Sequence, residues 1–164
     1  MDKLDEYKSS FNGFSSMILY VDGDAFPNLL KPILFRAIER LKLETCVIAN
    51  KKINIGKSPL ITYLVVELGA DEADNKIVEL LKEGDLVITA DIPLADRTIE
   101  KNAHAIDHRG ELYTEDNIKQ YLAMRNLMQE IRDSGEMTKG PAPFSPKDAQ
   151  SFANQLNKFL QKFN

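Results

Sequence analysis

Two aspartates stand two positions apart in the segment ILYVDGDAFP, directly after an apolar run. Such a run is typical of a buried β-strand, and Asp22 and Asp24 come where that strand would end. A later strand-like segment, DLVITAD, ends in Thr89 and Asp91. Ligands of open α/β sheets bind outside the carboxyl ends of the strands, so these residues are candidates for one shared site.

Two further segments supply polar groups to the same predicted edge. Asp74 stands in GADEADN at the start of a predicted helix, and Asn50 ends another strand-like run. Asp96 follows Asp91 by five residues. Converging carboxylates repel one another, so that either some are protonated or a cation holds them. Oxygen ligands with no Cys and no strong His candidate beside them favour Mg²⁺ or Mn²⁺ over zinc.

The chemistry that this pattern predicts is metal-assisted hydrolysis of a phosphodiester bond. The candidate catalytic residues are Asp22, Asp24, Asp74 and Asp91, and the candidate metal ligands are Asp22, Asp74, Asp91 and Asp96. Each acid also has a simpler explanation, because aspartates at strand-to-helix junctions often only cap a helix or form a turn. Asp85, which follows Gly84, is interpreted as such a turn residue.

Basic and neutral polar residues near the same edge are candidates for substrate binding. Asn50, Lys51, Lys52, Thr89 and Arg109 form this set, and the two lysines belong to the loop NKKINIGK. Lysines in such a loop can contact phosphates, although a solvated basic loop explains them equally well. The two histidines, His104 and His108, flank a strand-like run and are weak metal-ligand candidates.

The elements that position these residues alternate between strand and helix. Strand-like runs cover residues 17–22, 45–50, 61–66, 85–90 and 104–107, and helical patterns cover residues 28–43, 72–82 and 93–101. Several of the runs are apolar without alternation, which is typical of a parallel sheet covered on both faces. We therefore expect a doubly wound α/β sheet.

Two longer helices are predicted after this alternation, over residues 115–133 and 146–163. They begin at the N-cap candidates Thr114 and Ser145. These helices either pack onto the sheet or form a surface for a partner. We expect residues 17–164 to form a single domain and residues 1–16 to be a flexible leader.

Composition limits the classes of function. The net charge is −4, from 21 basic and 25 acidic residues, so the chain lacks the overall basic field of many nucleic-acid-binding proteins, although a local patch can suffice. One cysteine, Cys46, excludes an internal disulfide and a multi-cysteine zinc site. The chain has no apolar stretch of membrane-spanning length, and residues 1–16 lack the apolar core of a signal peptide, so we expect a cytoplasmic protein.

Several segments together resemble the YaiI/YqxD family of bacterial proteins. They are VDGDAFP, ADN, DLVITADIPLA and HRGELYT, and the resemblance runs from Ile18 to the last predicted helix. That family is grouped with PIN-like domains, which are commonly metal-dependent nucleases. The resemblance implies a PIN-like three-layer α/β/α sandwich with a mostly parallel sheet of about 4–5 strands. It also assigns Asp22, Asp24, Asp74, Thr89 and Asp91 to the family's acidic motifs.

Three functions are open at this stage. The first is a Mg²⁺- or Mn²⁺-dependent nuclease acting on RNA or structured DNA. The second is a phosphatase of the haloacid dehalogenase type, in which the first acid of an Asp-x-Asp motif is the nucleophile and the second the general acid. The third is a non-catalytic PIN-like binding module. The oligomeric state is open as well.

Overall fold

The computed structural model describes residues 17–69, 71–136, 140 and 142–163. Its centre is a six-stranded sheet in the order β3-β2-β1-β4-β5-β6. The strands are β1 (Leu19–Asp22), β2 (Thr45–Ala49), β3 (Ile61–Val65), β4 (Leu86–Ile88), β5 (His104–Ile106) and β6 (Leu112–Tyr113). Strands β1 to β5 run parallel, and β6 pairs antiparallel with β5.

Helices cover both faces of this sheet. They are α1 (Leu30–Leu41), α2 (Glu72–Leu80), α3 (Ile92–Glu100), α4 (Glu115–Asp133) and α5 (Pro146–Leu160), and a 3₁₀ turn, Gln161–Phe163, follows α5. Buried residues of α1 and α5 pack on one face, and those of α2, α3 and α4 pack on the other. The molecule is therefore a three-layer α/β/α sandwich.

Strand β1 shows why its sequence is apolar without a break. Leu19 and Val21 face the layer that holds α1 and α5, whereas Ile18 and Tyr20 face the layer that holds α2. All four side chains are buried. A strand covered on both faces has no solvated side, so polar alternation is lost.

The order of the strands creates a crevice beside β1. The chain passes from β1 through α1 to β2 and β3 on one side, and it then returns through α2 to β4 on the other side. Because the connections leave β1 and β4 in opposite directions, their carboxyl ends form a topological switch point, where α/β sheets bind ligands. Asp22 is the last residue of β1.

The expected α/β class and the mostly parallel sheet are confirmed, but the expected count of strands is too low. The sixth strand is the two-residue β6, which is too short to give a periodic pattern in the sequence. The predicted helix over residues 115–133 matches α4, whereas the last predicted helix ends at Leu160 and continues only as a 3₁₀ turn. The predicted leader over residues 1–16 lies outside the described residues. No helix in the described part of the chain is long and apolar enough to cross a bilayer.

Candidate active site

Asp22 and Thr89 are brought together by the register of β1 and β4. Val21 pairs with Ile88, so the residues that follow them, Asp22 and Thr89, lie side by side. The Thr89 hydroxyl donates to Asp22 Oδ2 at 2.8 Å. Thr89 is fully buried and Asp22 is 7% exposed. The hydroxyl of Thr89 thus orients the Asp22 carboxylate, a positioning role that differs from the substrate contact expected for it.

Asp24 is held by the neighbouring strand. Its Oδ1 accepts a hydrogen bond from the backbone N–H of Asn50 at 3.0 Å, and its own N–H donates to Asp22 Oδ1 at 3.3 Å. Gly23 permits this close approach, because a Cβ at that position would lie 2.9 Å from the Cβ of Ala49. The loop after β1 is therefore tied to the end of β2, and both predicted aspartates face the same edge.

Asp91 and Asp74 come from the amino ends of two helices. Asp91 caps α3, and its Oδ1 accepts from the N–H of Leu94 at 3.0 Å. The Asp91 N–H donates to Thr89 Oγ1 at 2.9 Å, which links this carboxylate to Asp22. Asp74 lies in the first turn of α2, and its carboxyl group hydrogen-bonds to that of Asp91. The hydrogen bonds thus connect all four predicted catalytic aspartates.

The closeness of these acids changes their ionisation. Burial, together with the charges of Asp24 and Asp91, raises the pKa of Asp22 to about 6. Burial and the charges of Asp91 and Asp22 raise the pKa of Asp74 to about 7. At neutral pH, the cluster therefore favours a bound proton or a bound cation.

These side chains surround one cavity of about 380 Å³. The polar residues that line it are Asp22, Asp24, Asn50, Asp71, Glu72, Asp74, Asp91 and His108. We call this space the acidic cavity. It lies at the switch point beside β1, where the sequence predicted a ligand site.

His108 also lines the cavity, although its sequence context made it only a weak metal-ligand candidate. It is 6% exposed, and its Nε2 has no hydrogen-bond partner. Burial and the charge of Arg109 lower the pKa of His108 to about 4, and its ring makes an edge contact with Phe26. His108 follows the end of β5 by two residues, so the strand-end rule that selected Asp22 also applies to it.

The donors of the cavity suit a hard divalent cation chemically, because carboxylate oxygens are the preferred ligands of Mg²⁺ and Mn²⁺. However, these side chains are not arranged as in a metal-bound site. No three Asp, Glu, His or Cys side chains of the described residues are arranged to hold one ion as they stand. Asp74 and Asp91 instead bond to each other. The residue types therefore suit a divalent cation. To bind one ion together, the carboxyl groups of Asp74 and Asp91 would have to move apart.

Comparison of the sequence with known protein families identifies the family of this chain. The family model described as "Uncharacterized BCR, YaiI/YqxD family" matches residues 20–162. The chain belongs to the YaiI/YqxD family. The resemblance seen in the sequence is thereby confirmed.

Relatives of high identity match this chain over almost their entire length. A UPF0178 protein of Sulfurimonas denitrificans is 75% identical over 146 residues, which are 89% of this chain and 97% of the relative. A UPF0178 protein of a Sulfurovum species is 70% identical over 89% of this chain and 99% of the relative. A solved structure, homospermidine synthase from Legionella pneumophila in complex with NAD, is similar with a TM-score of 0.43 and 14% identity. The match covers 78% of this chain and 36% of the synthase chain, and at this TM-score it carries no argument about function.

Asp96 is not at the site in this YaiI/YqxD protein. It lies on α3, where its Oδ1 accepts from Lys119 Nζ on α4 at 2.7 Å. The structure places it outside the lining of the acidic cavity. The geometry thus gives no support to the predicted role of Asp96 as a metal ligand, because this side chain joins two helices.

Arg109, a predicted substrate-binding residue, forms structural contacts and is not among the residues that line the acidic cavity. Its guanidinium donates to Asp148 Oδ2 at 2.8 Å and to the carbonyl of Ala142 at 2.7 Å, and it lies over the ring of Phe144. Asp148 belongs to the capping box of α5 together with Ser145. Arg109 thus fastens the start of α5 to the turn between β5 and β6.

Lys51 and Lys52 lie beside the acidic cavity but do not line it. They line a second cavity of about 550 Å³ between the loop after β2 and strand β3. Asn50, the residue before them, does line the acidic cavity. Of the predicted substrate-binding residues, Asn50 thus lines the acidic cavity, and Lys51 and Lys52 line the second one.

Proposed function

We propose that the acidic cavity is the active site of a nuclease that hydrolyses phosphodiester bonds of RNA or structured DNA with the help of Mg²⁺ or Mn²⁺. The observation that carries this proposal is the meeting of Asp22, Asp74 and Asp91 at the switch point of the sheet. They come from three separated parts of the chain, which helix capping or turn formation alone does not require. The chain belongs to the YaiI/YqxD family, and the PIN-like character that the sequence resemblance implies for this family agrees with the proposal.

Each residue of the cavity has a distinct part in this proposal. Asp22, Asp74 and Asp91 would hold the cation, which when bound supplies a Lewis acid and lowers the pKa of water. Thr89 keeps the Asp22 carboxylate in place, and the backbone of Asn50 does the same for Asp24. Burial and the neighbouring carboxylates of Asp91 and Asp22 raise the pKa of Asp74 to about 7, so Asp74 is partly protonated at neutral pH while no cation is bound.

The surroundings of the cavity favour this function over the phosphatase alternative. The haloacid dehalogenase pattern adds a lysine to the paired aspartates, and such a cationic side chain stabilises the transferring phosphoryl group. Within the described part of the chain, neither lysine nor arginine lines the acidic cavity. A cavity lined by acids requires a cation from solution before a phosphate can enter.

The test is cleavage of a labelled RNA with hairpin and single-stranded parts, assayed with Mg²⁺, with Mn²⁺ and with EDTA. We expect metal-dependent cleavage that Asp22→Asn and Asp91→Asn each reduce by more than about 100-fold, because even residues that only support metal ligands are worth 10- to 100-fold. Asp96→Asn is the matched control, since Asp96 lies on the same helix as the Asp91 cap but outside the cavity.

Undiminished cleavage by Asp22→Asn and Asp91→Asn would overturn the assignment. Absence of turnover on RNA and DNA, together with no metal-dependent rise in melting temperature, would favour the non-catalytic binding module. A trapped aspartyl-phosphate on Asp22 would instead favour the phosphatase. The cytoplasmic location expected from the sequence agrees with a nucleic-acid substrate and stays a prediction.

A further inference from the structure

The second cavity, of about 550 Å³, is larger than the acidic one. It lies between edge strand β3 and the connection from β2 to β3. Six of its lining residues carry the argument, namely Lys51, Lys52, Ile53, Lys57, Tyr63 and Val65. We call it the lysine groove.

The charge of the groove is opposite to that of the whole chain. The net charge is −4, yet three lysines gather here. All three are exposed, and none forms an ion pair with a described residue. Like charges crowded without a counter-charge favour an anionic ligand.

The groove also has an apolar wall, which a site for a simple anion would not need. Ile53, Tyr63 and Val65 line it. Val65 is 55% exposed and Tyr63 is 37% exposed, so apolar surface remains open on the sheet edge. Lysines beside an apolar and aromatic wall match the two halves of a nucleotide, which are a charged phosphate and a flat base.

The fold holds this groove in shape. The Tyr63 hydroxyl accepts from the N–H of Ile55 at 3.1 Å and donates to the carbonyl of Gly56. Gly56 has a φ of 145°, and a Cβ there would lie 2.2 Å from the ring of Phe35. The basic loop is thus fixed to β3 on one side and to α1 on the other.

The groove adjoins the acidic cavity through consecutive residues. Asn50 lines the acidic cavity and Lys51 lines the groove. The backbone that leaves β2 therefore joins the two cavities.

We propose that the lysine groove binds single-stranded nucleic acid, with phosphates on Lys51, Lys52 and Lys57 and a base against the wall formed by Tyr63 and Val65. A duplex keeps its bases paired and stacked inside, so it cannot offer one to this wall. That the bound strand continues into the acidic cavity rests on the proposed nuclease function. Binding itself does not rest on it.

The test is fluorescence anisotropy with a short fluorescein-labelled oligouridylate in EDTA, where metal-dependent cleavage cannot occur. We expect the triple variant Lys51→Gln, Lys52→Gln and Lys57→Gln to bind about 10-fold or more weakly, and its dependence of log K on log salt to be shallower by about 2. The matched control is Lys42→Gln, Lys147→Gln and Lys158→Gln, which changes the net charge equally at exposed positions outside the groove. We expect the control to bind within about 2-fold of the parent chain.

Further arms decide the class of ligand. The DNA strand of the same length separates RNA from DNA, and both results agree with the proposal. Failure of the parent chain to bind either strand would overturn it, as would equal binding by the two triple variants. Equal or tighter binding of a duplex, of an acidic peptide or of anionic vesicles would overturn it as well. A parent chain that binds the strand in EDTA but cleaves none with Mg²⁺ or Mn²⁺ would refute the nuclease and leave the groove standing.

Discussion

At the scale of single residues, the site is defined by hydrogen bonds that hold carboxylates near one another. Thr89 binds Asp22 and the N–H of Asp91, and the carboxyl groups of Asp91 and Asp74 share a hydrogen bond. Each bond fixes an acid in a place where its charge is opposed by its neighbours. A folded protein keeps such an arrangement at a cost in stability, which a proton or a cation relieves.

Replacement of Asp74 by asparagine tests this cost. The folded-state pKa of Asp74 is raised to about 7, so this group contributes stability at low pH that is lost as pH rises through about 7. Asparagine resembles the protonated acid and carries no charge. In EDTA at pH 8, we expect Asp74→Asn to raise the free energy of unfolding by about 2 kcal/mol, with a much smaller gain at pH 4.5. Urea denaturation at both pH values measures it.

Glu83→Gln is the control for loss of one negative charge, because Glu83 is exposed and lies outside the cavity. It should change stability little at either pH. If Asp74→Asn gained no more stability at pH 8 than at pH 4.5, the repulsion inferred for the cluster would be absent.

Most residues that the sequence predicted at this edge, and that line the cavity, follow a local rule. Asp22 ends β1, Asp24 follows it by two residues and Asp91 follows β4 by three, and an apolar run predicts where a strand ends. Asp96 and Arg109 escaped such reasoning, since their partners are Lys119 and Asp148. Those partners stand 23 and 39 residues away, and no local pattern reveals which distant side chain will neutralise a charge.

At the scale of elements, Asp85 shows how the amino ends of the central strands are joined. The sequence indicated a turn residue, but the side chain is buried at 5% exposure. Its Oδ1 accepts from the N–H of Ile18 at 3.0 Å, and its Oδ2 accepts from the N–H of Lys82 at 2.9 Å. Asp85 thus ties the start of β1 to the turn that leads into β4, at the edge opposite the acidic cavity.

We expect Asp85→Ala to lower the free energy of unfolding by about 3 kcal/mol, since it leaves buried backbone donors without an acceptor. Asp85→Asn keeps one carbonyl oxygen and should lose less. Glu83→Ala, two residues earlier and exposed, should stay within about 0.5 kcal/mol of the parent chain. Chemical denaturation gives all three values, and equal stability of Asp85→Ala and Glu83→Ala would refute this role.

The two long helices differ in how far their sequence predicted them. Their starts follow from the capping boxes at Thr114 and Ser145, which are local signals. Helix α5 packs onto the sheet, while α4 buries Ile118 and leaves Met124 and Leu127 exposed at 57% and 49%. Whether an apolar helix side meets the core depends on tertiary packing, which periodicity does not contain.

At the scale of the whole molecule, the net charge of −4 hides two regions of opposite sign. The acidic cavity and the lysine groove lie side by side and meet at Asn50 and Lys51. Composition sums these charges, so it does not reveal that three lysines share one groove. Under the two proposals, phosphates bind in this groove next to a cation in the acidic cavity.

The central claim is that Asp22, Asp74 and Asp91 together bind a divalent cation, and manganese tests it most directly. Anomalous diffraction from crystals grown in EDTA and then soaked in MnCl₂ locates every bound ion. We predict a peak in the acidic cavity about 2.2 Å from a carboxylate oxygen of each of the three residues, with the hydrogen bond between Asp74 and Asp91 broken. A map with no peak in the acidic cavity, or with manganese bound only elsewhere, would contradict the account.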